Sequence, residues 1–207
     1  MGVDGLLLHA CCGPCATVAV PDWRSTGADV TCLFFNPNVE PALEYHRRLT
    51  AMRRFADAAR VPLRVLAEED AGEETLRALE AWRDAAEVVG PTDREARCRL
   101  CIVVRLFETA RQAATMQLPR FSTTLAVSPY QLHDAVRESG LMAAATFGVD
   151  FVYRDQRPSF HRHLEESRRL GLYRQPYCGC VLSKWEAWHQ KHARRSRRAN
   201  QSRLPAS

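Results

Sequence analysis

Residues 4–10, Asp-Gly-Leu-Leu-Leu-His-Ala, and the five that follow, Cys11-Cys12-Gly13-Pro14-Cys15, decide the fold. A short apolar run that ends in a turn rich in Cys, Gly and Pro predicts a buried strand of a parallel sheet. Residues 29–35 form a second such run, which ends in Asn36-Pro37-Asn38. The stretch between the two runs has room for a helix, so this part of the chain predicts a strand–helix–strand unit.

The rest of the chain continues the alternation of strand and helix patterns. Apolar residues at helical spacing predict helices over 41–60, 73–89, 97–116 and 129–139 and from residues 160 and 182, with strands at 61–66, 121–127 and 151–153. This order predicts an α/β protein with a mainly parallel sheet and helices on both faces. Ligands of such sheets bind beyond the carboxyl ends of the strands, where the first cysteines stand.

Composition bounds the class of protein and its location. The 207 residues, 46% apolar and 26% charged, fit one soluble domain, which we place at residues 1–183, followed by a basic helix or tail at 184–207. No apolar run reaches the ~20 residues of a membrane span, and the first residues lack a secretory signal. We therefore expect a cytoplasmic protein with no membrane partner.

The net charge of +5 is concentrated at one end of the chain. Residues 184–207 carry a net charge of +6, which leaves the remainder near −1. Such a segment is typical either of an arm that binds RNA phosphates or of a solvated terminus.

Seven of the eight cysteines fall into three tight groups, which in a reducing compartment points to chemistry more than to a disulfide framework. The groups are Cys11, Cys12 and Cys15; Cys98 and Cys101; and Cys178 and Cys180. The eighth, Cys32, lies within the second apolar run, and we expect an inert buried thiol there.

The first two cysteine groups suggest a metal site. Cys98 and Cys101 are three residues apart at the predicted start of a helix, so their sulfurs share a face near the positive end of the helix dipole, which favours thiolates. With the first group they could bind tetrahedral zinc or an iron–sulfur cluster. The third group exceeds what a structural zinc requires, and a strained Cys178–Cys180 disulfide would suit an electron relay.

Two other functions remain open on these residues. Cys12-Gly13-Pro14-Cys15 after a strand matches the active-site motif of thiol–disulfide oxidoreductases, although thioredoxin-like domains are shorter and need no further cysteines. A zinc-stabilised RNA-binding module is the second alternative. A nucleotide cofactor is not indicated, since no glycine-rich phosphate loop is present.

Several segments together resemble the cobalamin-independent epoxyqueuosine reductase family. They run in family order from about residue 6 to 185: LHACCGPC at 8–15, FNPNV at 35–39 with Glu44-Tyr45 and Arg48, RCRLC at 97–101 with Arg105-Leu106, FSTTL at 121–125 with SPYQ at 128–131, and GLYRQPYCGC at 171–180.

The resemblance implies a Rossmann-like fold related to nucleotide α-hydrolases and the final step of queuosine synthesis, in which the epoxide of a tRNA wobble base becomes an alkene. It also implies a [4Fe–4S] cluster on Cys11, Cys12, Cys98 and Cys101 and a redox-active disulfide between Cys178 and Cys180. Cys15 is a further metal-ligand candidate, which could help to hold an additional iron ion. The implied partners are the tRNA anticodon loop and an external electron donor.

Removal of an epoxide oxygen takes two electrons and two protons, so the implied reaction needs a proton donor. A tRNA substrate also needs residues that contact RNA. His9 and Tyr177 are the candidate donors, although a histidine at a strand end is more often structural. Aromatic and basic residues suited to a single-stranded loop are Tyr130, Tyr153, Arg154, Arg157, Tyr173 and Arg174, together with the basic tail.

Overall fold

A five-stranded sheet forms the centre of the protein in the computed structural model, which describes residues 4–88 and 93–201. The strands are β1 (Gly5–His9), β2 (Asp29–Phe34), β3 (Leu63–Val65), β4 (Arg120–Thr123) and β5 (Asp150–Phe151). Their order is β3-β2-β1-β4-β5, and every pair is parallel. The predicted α/β class with a parallel sheet is confirmed.

Seven helices of the described chain surround the sheet: α1 (Gly13–Arg24), α2 (Ala42–Ala59), α3 (Glu73–Val88), α4 (Arg94–Thr115), α5 (His133–Phe147), α6 (Phe160–Arg169) and α7 (Val181–Gln201). Successive residues of β1 face opposite sides of the sheet because side chains alternate along a strand. Leu6 and Leu8 join the core with α1 and α2, whereas Leu7 joins the core with α4 and α5. Burial on both faces explains why β1 is apolar without alternation.

Two predicted elements differ in their bounds from those observed. The strand predicted over 121–127 ends at Thr123, and a short 3-10 helix, Thr124–Val127, follows it. The Thr123 hydroxyl accepts a hydrogen bond from the Leu125 backbone N–H, which turns the chain out of the sheet. The helix predicted over 129–139 runs from His133 to Phe147 instead.

The strand order reverses at β1, since the chain builds β2 and β3 on one side of it and β4 and β5 on the other. The crevice beyond the carboxyl ends of β1 and β4 is therefore the expected ligand site of the sheet. Cys11 lies there, and its backbone N–H donates to Thr124 Oγ1 at 3.0 Å. Within the described chain, no helix combines the length and the apolar character that a bilayer crossing demands.

Candidate metal centre and redox site

Three sulfurs meet at the end of β1. The Sγ atoms of Cys11, Cys12 and Cys15 all lie within 4.8 Å of one another, and those of Cys11 and Cys12 are 3.7 Å apart. Cys12 precedes α1 and Cys15 lies in its first turn, so the strand-to-helix turn holds all three. Cys12 and Cys15 are buried, whereas Cys11 is partly open to the crevice. Clustered sulfurs with one open side are suited to a metal.

The three thiols do not titrate alike. Hydrogen bonding with the Cys12 and Cys15 sulfurs holds the pKa of Cys11 well below its usual value. The same contact with Cys11 raises the pKa of Cys12 to about 12, and hydrogen bonding with Cys11 and Cys12 raises that of Cys15. The group therefore favours one thiolate supported by two thiols. A metal ion would replace the two remaining protons, because thiolates are the ligands that metals bind.

Two polar side chains contact these sulfurs. Thr124 Oγ1 donates to Cys11 Sγ at 3.3 Å, and Gln175 Nε2 donates to Cys12 Sγ at 2.9 Å. Gln175 comes from the segment before α7, more than 160 residues along the chain from Cys12. The segment that carries the third cysteine group thus covers the first group.

Cys98 and Cys101 lie on α4, where Cys101 is buried and Cys98 is half-buried. They are not among the cysteines within 4.8 Å of one another at the end of β1. Cys178 and Cys180 contribute to the electrostatics of both thiols, so the second and third cysteine groups lie within electrostatic range of each other. The structure thus brings the predicted residues into two neighbouring sets.

Burial works against the thiolate character that the sequence predicted for Cys98 and Cys101. Helix α4 begins at Arg94, three residues before the predicted start, so both sulfurs lie further from the positive helix end. Burial raises the pKa of Cys98, and it raises that of Cys101 to about 12. Desolvation outweighs the dipole, whose effect is confined to the first turn.

A buried arginine lies between the two sets. Arg105 is 3% exposed, and its Nε donates to the Cys101 carbonyl oxygen at 2.9 Å. Burial opposes its charge, but the sulfurs of Cys101, Cys178, Cys11 and Cys98 raise its pKa. Among the side chains that the structure describes, no ion pair joins Arg105 to a carboxylate. A buried cation within electrostatic range of several sulfurs fits a centre of negative charge, since unpaired buried charge is costly.

The segment containing Cys178 and Cys180 is fixed to α2. Arg48, which is 2% exposed, donates to the Cys178 carbonyl oxygen at 2.6 Å and to the Tyr177 carbonyl oxygen at 2.9 Å. Its Nε donates to Glu44 at 2.8 Å, and Tyr173 donates to the same carboxylate. Arg48 therefore sets the backbone on which the third cysteine group is carried.

The third cysteine group is open to solvent on one side. Cys178 is exposed, with Gln131 Nε2 at 3.6 Å from its sulfur, and Cys180 accepts from the Ser183 backbone N–H at 3.4 Å. A Cβ at Gly179 would lie 2.9 Å from Asn38 Nδ2, so only glycine fits between the two cysteines without displacement. All eight cysteines are free thiols in the structure. The Cys178–Cys180 disulfide stays a prediction.

Cys32 and His9 both lie in enclosed environments. Cys32 is fully buried in β2, and burial raises its pKa to about 12, which agrees with the inert thiol we expected. His9 is fully buried between Thr123 Oγ1 and the Phe35 carbonyl oxygen, and burial lowers its pKa to about 4. An enclosed imidazole with both ring nitrogens hydrogen-bonded is typical of a structural histidine. Tyr177 donates its hydroxyl to the Glu40 carbonyl oxygen.

The candidate RNA-contacting residues differ in their exposure and in their interactions with other residues of the protein. Tyr130 is 73% exposed, and it precedes Gln131, which touches Cys178. The other aromatic candidates use their hydroxyls internally, Tyr153 on His133 and Tyr173 on Glu44. Arg154 pairs with Asp22 and Arg157 with Asp155, while Arg174 is exposed; Arg203 of the basic tail lies outside the described residues.

A cavity of about 360 Å³ opens at the carboxyl ends of β2 and β3. Phe35, Pro37 and Tyr45 supply apolar and aromatic walls, and Asn36 lies at its base. Asn36 is buried, and its Nδ2 donates to the Ala10 carbonyl oxygen next to Cys11. The volume suits a small ring system, which the apolar and aromatic walls could contact.

Sequence reasoning gave no role to Arg105, although it lies in one of the segments that carry the family resemblance. Its position in the sequence could have indicated a role, because Arg105 comes one residue before Leu106 and three after Ile102, and both of these apolar residues are buried. A charged residue on the apolar face of a helix indicates a buried counter-charge.

The fold and site together define a parallel α/β protein with a thiol-rich centre at the strand switch point. Comparison with known proteins narrows this class. The profile described as "Epoxyqueuosine reductase QueH" matches residues 6–186, and the chain belongs to that family. A protein of that name from Dehalococcoides mccartyi is 35% identical over 182 residues, which cover 87% of this chain and 93% of that protein. The Thermotoga maritima relative of the same name is 32% identical over 196 residues, 93% and 96% of the two chains.

Proposed function

We propose that this protein is an epoxyqueuosine reductase, which removes the epoxide oxygen of the modified wobble base in the tRNA anticodon loop. The observation that carries this proposal is the cysteine cluster Cys11, Cys12 and Cys15 at the strand switch point, in a chain of this family. The reaction consumes two electrons and two protons and releases water. A site for it must therefore store electrons and admit a base, and both parts have candidates here.

We propose Cys11, Cys12, Cys98 and Cys101 as ligands of a [4Fe–4S] cluster, with Cys15 available to an additional iron ion. The donor set supports this, since thiolates are the usual ligands of iron–sulfur clusters. Arg105 supports it as well, because an anionic thiolate centre would compensate its buried charge. When bound, the cluster supplies electrons singly, and an iron with an open position supplies a Lewis acid for the departing oxygen.

Cys178 and Cys180 are proposed as the second electron store. Oxidation of this dithiol to a disulfide releases two electrons and two protons, which matches what the epoxide needs to become alkene and water. An external electron donor must then reduce the disulfide again. The exposure of Cys178 lets such a donor reach it, and the electrostatic interaction of Cys178 and Cys180 with Cys98 and Cys101 supports a role next to the proposed cluster.

The remaining side chains position the reactants. Arg48 and Glu44 hold the Cys178 backbone, and Gln175 orients the Cys12 sulfur. The cavity lined by Phe35 and Tyr45 offers apolar and aromatic walls to a flat base. Recognition of a base in this way requires it to leave the stack of the anticodon loop, which costs least in single-stranded RNA.

Mass analysis of tRNA provides the test. Protein purified without oxygen is incubated with tRNA bearing epoxyqueuosine and a strong reductant, and we expect the nucleoside to lose the mass of one oxygen. The protein itself is expected to be brown, with about four irons and four sulfides per chain. The Cys98→Ser variant should lose both the colour and the activity, whereas the matched Cys32→Ser variant should keep them.

The two alternatives give different results in the same experiment. Colourless protein with one zinc and no oxygen loss would replace the proposal with a zinc-stabilised RNA-binding module. Metal-free protein that reduces model disulfides, and that depends on Cys12 but not on Cys98, would replace it with a thiol–disulfide oxidoreductase.

A further inference from the structure

Helix α7 presents an uncovered row of aromatic rings to solvent. Trp185 is 56% exposed and Trp188 is 55% exposed. The Trp185 ring lies 3.8 Å from that of His189, and the Trp188 ring 3.8 Å from that of His192, between centroids. Buried or half-buried positions are the rule for tryptophan in a soluble domain, and Trp23 and Trp82 of this chain are 4% and 5% exposed. Two exposed tryptophans on adjacent turns indicate a contact surface.

The opposite face of α7 is the one that packs on the protein. Glu186 forms a 2.6 Å ion pair with Arg97 of α4, and Ser183 is buried against Cys180. With 100° per residue, Trp185, Trp188 and His192 fall within about 60° of one another and far from Glu186. The aromatic row is therefore the outward face of an anchored helix.

The charge beside this row is positive. Lys184 and Lys191 are exposed and flank the aromatic row on one side. Glu186, the one acidic residue of the segment, is already paired with Arg97. The sequence of α7 then continues with Arg194, Arg195, Arg197 and Arg198. Aromatic rings beside fixed positive charge are complementary to single-stranded nucleic acid, where bases stack and phosphates pair with cations. A neutral or cationic protein partner would not need this charge.

Helix α7 also begins at the proposed redox pair. Its first residue, Val181, follows Cys180, and the Ser183 backbone N–H donates to the Cys180 sulfur. At 1.5 Å per residue, Trp185 and Trp188 lie about 7 and 12 Å along the helix axis from Cys180. That separation corresponds to a few nucleotides of extended strand, so RNA bound to this row would reach the cysteines.

We propose that the exposed face of α7 is a binding surface for the anticodon-loop RNA, on which Trp185 and Trp188 stack nucleotides that flank the reacting base. Lys184 and Lys191 contact the phosphates of the same strand. The inference rests on the proposed function, because it takes the substrate to be a tRNA loop. It adds the surface that holds the nucleotides next to the base while the base enters the cysteine site.

The test compares variants of the full-length, metal-loaded protein for binding to an anticodon stem–loop RNA by fluorescence anisotropy at several salt concentrations. The Trp185→Ala/Trp188→Ala variant should bind at least fivefold more weakly, since loss of one base–aromatic stack alone weakens binding about 5- to 100-fold. The Lys184→Gln/Lys191→Gln variant should lower the slope of log K against log salt by about 0.7 for each phosphate contact removed. The matched control is Leu141→Ala/Met142→Ala, exposed apolar residues of α5, which should bind as the wild type does.

Intrinsic fluorescence gives an independent readout. RNA should quench the wild-type tryptophan emission, because bases stack on exposed indoles, and this quenching should vanish in the double tryptophan variant, which retains only buried Trp23 and Trp82. Unchanged RNA affinity in that variant, with oxygen loss from tRNA intact, would overturn this surface and leave the proposed function standing. Absence of both RNA binding and oxygen loss in the wild type would overturn both. Quenching by an electron-donor protein but not by RNA would assign the row to that protein and refute the inference.

Discussion

Replacement of Arg48 by methionine tests the network that holds the third cysteine group. Arg48 is 2% exposed and Glu44 is 5% exposed, so the variant leaves a buried carboxylate whose remaining partner is the Tyr173 hydroxyl. The carbonyl oxygens of Tyr177 and Cys178 lose their charged donors as well. Removal of one partner from a buried ion pair costs about 3–5 kcal/mol. We expect a loss of that size in the free energy of unfolding, out of a total of roughly 5–15 kcal/mol.

The assay is denaturant unfolding, combined with the rate at which Cys178 reacts with an alkylating reagent in the folded protein. Alkylation of Cys178 should become faster in Arg48→Met because its backbone is no longer fixed. The alkylation rate of Arg48→Lys, which keeps the charge, should fall between those of the wild type and Arg48→Met. The matched control is Arg54→Met on the same helix, whose exposed guanidinium donates to the Gly171 carbonyl oxygen at 3.3 Å. It should change the unfolding free energy by less than about 1 kcal/mol.

A double-mutant cycle separates the ion pair from the carbonyl contacts. Glu44→Gln combined with Arg48→Met should cost less than the sum of the two single changes, because the buried carboxylate charge is gone. A loss of less than about 1 kcal/mol in Arg48→Met, with the reactivity of Cys178 unchanged, would show that Arg48 does not hold this backbone.

Other features of the fold make separate predictions. Cys32, with its pKa raised to about 12, should resist iodoacetamide at pH 9 and react only on unfolding, as followed by mass spectrometry; labelling of the native protein would contradict its burial. Arg105→Met should lower the one-electron midpoint potential of the proposed iron–sulfur cluster, because a positive charge near it is lost; a tenfold change in the redox equilibrium corresponds to about 59 mV. An unchanged potential in an EPR-monitored titration would show that Arg105 does not act on the cluster. Gly13→Ala places a Cβ 2.7 Å from the Ala51 carbonyl oxygen, so it should cost about 1–3 kcal/mol in urea unfolding. Asp93→Ala, which removes the acceptor for the Ala96 N–H, should cost about 1 kcal/mol, while Asp93→Asn should retain most of the stability.

The local pattern of the sequence was sufficient for the central strands and for the position of the first cysteine group. An apolar run that is buried on both faces needs no knowledge of its partners, and residues 4–10 and 29–35 contain β1 and β2. The end of β4 was not predictable in the same way, because residues 124–127 are as apolar as a strand. A single hydroxyl, that of Thr123, turns them into a 3-10 helix.

The grouping of the cysteines could be predicted from the sequence, but the electrostatic environment of each thiol could not. A helix start and a spacing of three residues predicted thiolates at Cys98 and Cys101, whereas burial, which depends on every element packed around α4, raises the pKa of both. Arg105 interacts with cysteines of all three groups, and Arg48 hydrogen-bonds to a backbone segment about 130 residues away. Both interactions form only when distant segments of the chain come together. Covalent neighbours determine periodicity and spacing, whereas desolvation and charge pairing depend on distances through space, which only the tertiary structure decides.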